Sequence, residues 1–254
     1  MECRWCGKEY KTLRTQLYDK IREIKIPECN CTGPNDRLDR IYRLKKNCAL
    51  PFKFRKDDMK DFVTPRELLP LHEFVKNYLD NLQSFLGRQV GMFLSGSVGI
   101  GKTRLICYLA NRMIELDEHA VFFVSGSTFE SQLDVLKRYR NDFEDYLEKL
   151  CSVEILIFDD FAESFCPFNK KYYSKVINDR YLEGRVILFT SMFDLQKNEE
   201  IFGPHIMSRI KEMVKENYIR LDTKLDFRAL DGNTEITEKN IFNDHSNDVA
   251  EIWK

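Results

Sequence analysis

Gly91-Met92-Phe93-Leu94-Ser95-Gly96-Ser97-Val98-Gly99-Ile100-Gly101-Lys102-Thr103 decides how the rest of the chain is read. An apolar run leads into a glycine turn and then a helix start, and residues 96–103 fit G-x-x-x-x-G-K-[ST]. Each residue type answers a chemical need. A polyphosphate asks for a ring of inward-facing backbone N–H groups, and Gly96, Gly99 and Gly101 let the main chain through Ser97, Val98 and Ile100 curl that tightly. The helix opening at Lys102 adds unpaired N–H groups and the positive end of its dipole. Lys102 is placed to reach the β- and γ-phosphates, and the Thr103 hydroxyl to hold Mg²⁺. Leu105, Ile106, Leu109, Met113 and Leu116 give the helix that follows an apolar stripe.

Downstream, Ile155-Leu156-Ile157-Phe158-Asp159-Asp160 is an apolar strand ending in two carboxylates. In a parallel sheet the C-terminal ends of the strands share one rim, where the phosphate loop also sits. Asp159 is therefore expected to complete the Mg²⁺ shell, and Asp160 to orient and activate the attacking water. Thr190 and Ser191 end another strand on that rim. Either hydroxyl could touch the γ-phosphate or the water, or simply cap the next turn.

From 89 to 228 apolar runs alternate with helical patterns. Strands are expected at 120–124, 153–158, 186–189 and 218–221, with helices at 127–151 (one, or two in series breaking near Arg140-Asn141), 170–183 and 204–215. That succession argues a parallel sheet sandwiched by helices, with 218–221 as a half-exposed edge strand. A further helix is expected over 65–87, its start delayed or kinked by Pro70.

At the front, Cys3-x2-Cys6 and Cys29-x-Cys31 form two close pairs. Four thiolates suit tetrahedral Zn²⁺ in a closed, structural site, where metal would contribute much of the folding energy of so small a unit; the alternative is reduced bystander thiols. Tyr10, Leu13, Leu17, Ile21 and Ile24 recur at helical spacing and predict one helix over the metal. Residues 32–64 read as a connector with a short basic helix around Leu38, Ile41 and Leu44. The tail from Ala229 is polar, acidic and expected to be mobile.

The 254 residues carry a net charge of −1, unevenly spread. Residues 1–60 hold 16 Lys/Arg against 9 Asp/Glu, and residues 229–254 hold 2 against 6. A basic front end suits nucleic acid or an acidic partner, but also a merely solvated face. The eight cysteines do not form a secreted disulfide framework. No apolar run approaches a membrane span, and no signal-peptide core opens the chain, so a cytoplasmic protein with no membrane partner is expected.

These motifs in this order resemble the DnaC/DnaI branch of the AAA+ ATPases, the loaders of replicative helicases. The match includes Ala49-Leu50-Pro51 with Phe54-Arg55, the phosphate loop and Ile157-Phe158-Asp159-Asp160. It continues through Ile177-Asn178-Asp179-Arg180-Tyr181, Thr190-Ser191-Met192, Ser208-Arg209 and Asp226-Phe227-Arg228. The resemblance implies an α/β AAA+ P-loop domain over 49–228. Its five-stranded parallel sheet would have order 5-1-4-3-2, helices on both faces and no C-terminal lid. A zinc-binding, helicase-gripping unit and linker over 1–48 would precede it, and an acidic flexible tail over 229–254 would follow. It further implies ATP, with Mg²⁺, bound between subunits of a homo-oligomer that forms on ATP or DNA. Arg209 would be the arginine finger and Arg228 the second sensor, although by themselves both suit surface ion pairs. The family's Asn after Thr-Ser is Met192 here, leaving Ser191 as the substitute first sensor. Its Gly after Asp-Asp-x is Ala162, and its next acid is displaced to Glu163.

The activity implied is ATP hydrolysis coupled to loading a hexameric DnaB-type helicase onto single-stranded DNA. Lys137, Arg138, Arg140, Lys170, Lys171, Tyr172 and Tyr173 are the candidate strand contacts, basic and aromatic together. Two rivals stand beside it. One is a nucleotide-gated helicase adaptor or inhibitor with little hydrolysis, motivated by Met192 and Ala162. The other is a transposition helper ATPase of the IstB type, which would prefer duplex DNA and a transposase.

Overall fold

The structure is a computed structural model, and it describes residues 10–17, 20–27, 34–55, 64–224, 226 and 236–237. The chain divides into two compact units, residues 1–43 and 44–254. The break falls inside a helix, ahead of the expected one at residue 48.

In the first unit β1 (Tyr10–Leu17) and β2 (Lys20–Pro27) pair antiparallel, from Tyr10 opposite Pro27 to Leu17 opposite Lys20. The helix expected here is corrected to a hairpin. Leu13 and Ile24 are Cα partners across it. They stand 11 residues apart in sequence, about three helical turns, so one spacing satisfies both readings. The β-branched Thr12, Thr15, Ile21, Ile24 and Ile26 decide for strand. The helix α1 (Pro34–Asn47) then starts on a proline, whose fixed φ suits a first turn. Cys3, Cys6, Cys29 and Cys31 lie outside the described residues, among which no group of three or more His, Cys, Asp or Glu could hold a metal ion.

The second unit runs β3 (Thr64–Pro65), α2 (Leu69–Asp80), α3 (Leu82–Gly87), β4 (Met92–Gly96) and α4 (Lys102–Asp117). It continues with β5 (Val121–Ser125), α5 (Gly126–Leu136), α6 (Arg140–Ser152), β6 (Ile155–Asp159) and α7 (Lys170–Leu182). The last elements are β7 (Val186–Ser191), α8 (Leu195–Phe202), α9 (Pro204–Val214), β8 (Tyr218–Leu221) and β9 (Ile236–Thr237). Five strands form one wholly parallel sheet in the order β5-β6-β7-β4-β8, which is the implied 5-1-4-3-2 read from its other edge.

Every residue of β4, β6 and β7 is buried, so both faces of the sheet centre are covered. Edge strand β8 is only half-buried. One face carries Phe93, Phe122, Leu156, Phe158, Ile187 and Phe189 into an aromatic cluster with Phe129, Phe161, Tyr173 and Phe202. The alternate residues, including Leu94, Phe123, Ile157 and Leu188, are buried on the other side. Pro70 sits in the first turn of α2, behind a 3₁₀ turn at Arg66–Leu68, and does delay the helix. Helix α8 was not expected; Asp194 caps it by accepting from the Lys197 N–H at 2.7 Å. In the expected mobile tail, β9 pairs antiparallel with β3. No helix among the described residues is long and apolar enough to cross a membrane.

Candidate nucleotide site

β4 delivers the chain to the loop and α4 carries it away, as the strand–turn–helix reading requires. Gly96, Gly99 and Gly101 all have positive φ (147°, 84° and 87°). The turn is crowded as well as left-handed. A Cβ at Gly96 would lie 2.0 Å from the Leu221 carbonyl oxygen, and one at Gly99 would lie 2.2 Å from Asp226 Oδ1. Ile100 is fully buried and anchors the loop from beneath. From the side, the Ser97 N–H donates to the Leu221 carbonyl (3.2 Å) and the Thr223 N–H donates to Ser97 Oγ (3.1 Å). The segment after β8 thus clasps the loop, a contact that the sequence pattern did not disclose.

Lys102 is buried, and its Nζ donates to the carbonyls of Gly96 and Ser97, both at 2.8 Å. Its charge is thereby held against the turn of the loop. Thr103 Oγ1 lies 3.1 and 3.0 Å from the two carboxylate oxygens of Asp159. The proposed magnesium ligands, on α4 and β6, therefore converge. Asp159 is 3% exposed and also accepts from Thr190 Oγ1 at 2.6 Å. Burial raises its pKa, while the Thr190 and Thr103 hydrogen bonds and the Lys102 charge pull it down.

The two adjacent carboxylates are held differently. Asp160 has φ 48°, left-handed for a non-glycine residue, and its N–H donates to Thr190 Oγ1 at 2.9 Å. Burial, then the charges of Asp159 and Glu163, push its pKa up to about 7, against the lowering influence of Lys102. Three carboxyl groups thus crowd one turn. Of the two hydroxyls ending β7, Thr190 is the one that meets the carboxylates. Ser191 Oγ instead accepts from the Phe193 N–H (3.1 Å) and from Asn198 Nδ2 (3.3 Å), capping the turn into α8.

The arrangement fits a Mg²⁺–polyphosphate. Glycines shape a cradle that side chains would fill, a lysine stands at its mouth, and a buried carboxylate with a hydroxyl beside it lies in a region of excess negative charge. Arg209 sits on α9, with its guanidinium 5.8 Å from the centre of the Tyr181 ring. Arg228 lies outside the described residues.

Of the candidate strand contacts, Lys137 and Lys171 flank the Tyr172 ring, their ammonium groups 5.5 and 4.9 Å from its centre. Lys137 Nζ also donates to Asn169 Oδ1 at 2.6 Å. Arg140 pairs with Glu144 one turn on (3.0 Å). Tyr173 must be withdrawn from that set. It is fully buried among Phe129, Phe158 and Phe202, and its hydroxyl donates to Glu130 Oε1 at 3.0 Å. Sequence reasoning missed Phe168, 90% exposed and two residues before Lys170, and Tyr139, 59% exposed and flanked by Arg138 and Arg140.

The family described as "IstB-like ATP binding protein" matches residues 72–211. The uncharacterized protein YqaM of Bacillus subtilis is 26% identical over 215 residues, 78% of this chain and 65% of that one. A putative insertion sequence ATP-binding protein, y4uH of Sinorhizobium fredii, is 24% identical over 190 residues, 73% of this chain and 76% of that one. The crystal structure of the DnaC helicase loader superposes with a TM-score of 0.56 at 18% identity, covering 68% of this chain and 100% of that one. The fold is therefore that of an AAA+ P-loop domain. Across its curated relatives the chain spans between 21% and 76% of their length.

Proposed function

This chain belongs to the family of IstB-like ATP binding proteins, and from that premise we propose that it hydrolyses ATP to ADP and phosphate at residues 96–103 and 159–160. The observation that supports this best is the meeting of Thr103 with Asp159 beneath a loop whose lysine is already held at its mouth. Thr103 and Asp159 would hold Mg²⁺, whose chemistry there is to neutralise charge on the phosphate oxygens. The Lys102 ammonium and the N–H groups of the glycine turn bind and orient the phosphates. The Asp160 carboxylate takes the proton from the attacking water, and Thr190 holds its turn by accepting the Asp160 N–H. Arg209, on a different element, would leave the Tyr181 ring to serve a neighbouring protomer's γ-phosphate as an arginine finger, with Arg228 as second sensor.

The biological task that this reading favours is loading a DnaB-type hexameric helicase onto single-stranded DNA. The ordered motifs support it, as does the likeness in fold to the DnaC helicase loader. The cysteine pairs at Cys3, Cys6, Cys29 and Cys31 would fold a zinc unit that grips the helicase, while ATP-bound protomers assemble around the strand. A second reading, a transposition helper, is favoured by the family match itself and by y4uH. Native mass spectrometry of the full chain with a DnaB-type helicase, with and without Mg-ATP, separates the two. The loader retains the helicase, carries zinc and prefers single-stranded DNA. Failure to retain any helicase, with tight binding of duplex DNA, would transfer the chain to the second reading. Failure to take up adenine nucleotide under any condition would end both.

A further inference from the structure

The rim of the sheet opposite the phosphate loop also has a chemical character. A cleft of about 290 Å³ opens there, lined among others by Arg88, Arg180, Arg185, Lys215, Glu212 and Tyr181. Arg88 precedes β4 and Arg185 precedes β7, while Lys215 follows α9 on the way into β8. All three sit at strand N-termini, whereas the phosphate loop, Asp159 and Thr190 sit at the C-termini. Strands of five or six residues put about 16–20 Å between the two rims.

We propose that this cleft is a second anion site, taking a phosphate group. Four cations line it against a single carboxylate, Glu212, which accepts from the Tyr181 hydroxyl at 2.9 Å. Glu216 pairs with Arg88 at 3.3 Å, which leaves Arg180, Arg185 and Lys215 facing Glu212, and Glu154 turns to His119 and to the Ala120 N–H while feeling the Arg185 charge.

Arg180 is fully buried, and its guanidinium donates to neutral groups: the carbonyls of Leu150, Cys151, Val153, Glu154 and Val186, at 2.6–3.4 Å. Its Nε–H, and that of Arg185, are buried with no acceptor among the described residues. Burial first, and then the Arg185 charge close beside it, depress the Arg180 pKa to about 9, and two such guanidinium groups with unspent donors are what an oxyanion would satisfy. The carbonyl bonds fix the fork of Arg180, so the site is built before the ligand arrives. A phosphate suits it better than a monoanion because more than one cation is available to share the charge.

Equilibrium dialysis of labelled inorganic phosphate against the full chain tests this, with Lys102→Ala removing the phosphate loop's contribution. The Lys102→Ala chain is expected to keep one phosphate site. Adding Arg185→Gln should weaken that site about 10-fold or more, as loss of a charge-assisted hydrogen bond does. Arg88→Gln, on an exposed side chain, should weaken it less, and supplies the test if Arg185→Gln does not fold by thermal melting. Loss of all phosphate binding in Lys102→Ala alone overturns the proposal. So does unchanged binding when the Gln variants are added. A single-stranded oligonucleotide that displaces the phosphate identifies a nucleic-acid backbone as the source; displacement by a nucleoside monophosphate alone identifies a free phosphate ester.

Discussion

Asp160→Asn changes one charge in the site and little else, which makes it the sharpest perturbation available. Beside one side-chain hydrogen bond with Glu163, the contacts that hold the turn are made by the Asp160 main chain. The Asp160 N–H donates to Thr190 Oγ1 (2.9 Å), and the Asp160 carbonyl accepts from the Glu163 N–H (3.1 Å), so both survive the change. Asparagine also tolerates the left-handed φ of 48°, whereas alanine would add about 1 kcal/mol of backbone strain. Removing one of three crowded carboxylates should leave stability unchanged or slightly improved, since Asp159 and Glu163 both disfavour the Asp160 charge. Lys102, Thr103 and Asp159 keep their mutual contacts, so affinity for Mg-ATP should stay within about threefold. Turnover should fall by about 10²–10⁴, the usual worth of a positioned base, or about 3–5 kcal/mol of barrier. Single-turnover phosphate release at saturating nucleotide, beside a fluorescent-nucleotide titration, measures both quantities. Turnover within about threefold of the parent chain would remove Asp160 from the mechanism. A collapse of affinity would make it a binding residue instead.

Gly99→Ala should lower the melting temperature by about 2–6 °C and weaken nucleotide binding about 10-fold. Its Cβ would meet Asp226 Oδ1 at 2.2 Å on a φ of 84°, and strain of about 1–2 kcal/mol maps to that shift in a chain of this size. An unchanged melt would show that the clasp over the loop is loose. The His119–Glu154 pair predicts a pH window. The hydrogen bond that His119 donates to Glu154 raises the His119 pKa above 6.5, so that part of the stability is full below 6.5 and lost as pH rises through the raised value. The same bond lowers the Glu154 pKa below 4.5, so its part is present above 4.5 and lost as pH falls through the lowered value. Glu154→Gln should therefore cost most between pH 4.5 and 6.5 in urea unfolding, and under about 1 kcal/mol because Glu154 is half exposed. A cost independent of pH would assign the effect to packing. Lys137→Ala with Tyr172→Ala should reduce single-stranded DNA affinity by about 10-fold or more in fluorescence anisotropy, through a lost cation and a lost stacking face. Equal binding would place the strand elsewhere.

Much of the second unit was legible because its signals are local. Glycines at fixed offsets before Lys-Thr mark the loop, and nearly all-apolar runs mark strands covered on both faces. The strand order needed the resemblance, because periodicity says nothing about which strands are neighbours. The hairpin of the first unit was misread because apolar residues 11 apart satisfy two geometries, and only the β-branched bias separates them. Helix α8 escaped for want of length. Eight residues carry little periodicity, and its markers were the cap at Asp194 and the Gly203-Pro204 punctuation. Tyr173 shows the complementary failure. Beside two lysines and Tyr172 it resembles a stacking face, yet helical geometry turns adjacent residues about 100° apart, leaving Tyr172 half-buried against Phe143 and Tyr173 in the core. The clasp of Asp226 over Gly99 joins positions far apart in sequence, which spacing alone does not reveal.

The different settings of two adjacent carboxylates follow from what flanks them. Phe158 and Phe161, both fully buried, bracket Asp159-Asp160 and stack into the aromatic cluster, their ring centres 5.1 Å apart. Burying each ring contributes about 2–3 kcal/mol, more than the ~1 kcal/mol that a left-handed Asp160 costs. The core thus holds a turn that the backbone alone would avoid. That turn sends Asp159 inward to Thr103 and Thr190 and leaves Asp160 half-buried and carried toward the rim. An extended residue 160 would only have pointed its side chain to the opposite face of the sheet. The metal-holding role proposed for Asp159 and the base role proposed for Asp160 would therefore fall to neighbouring residues of one strand end because apolar packing beside them forces the chain to change hand between them.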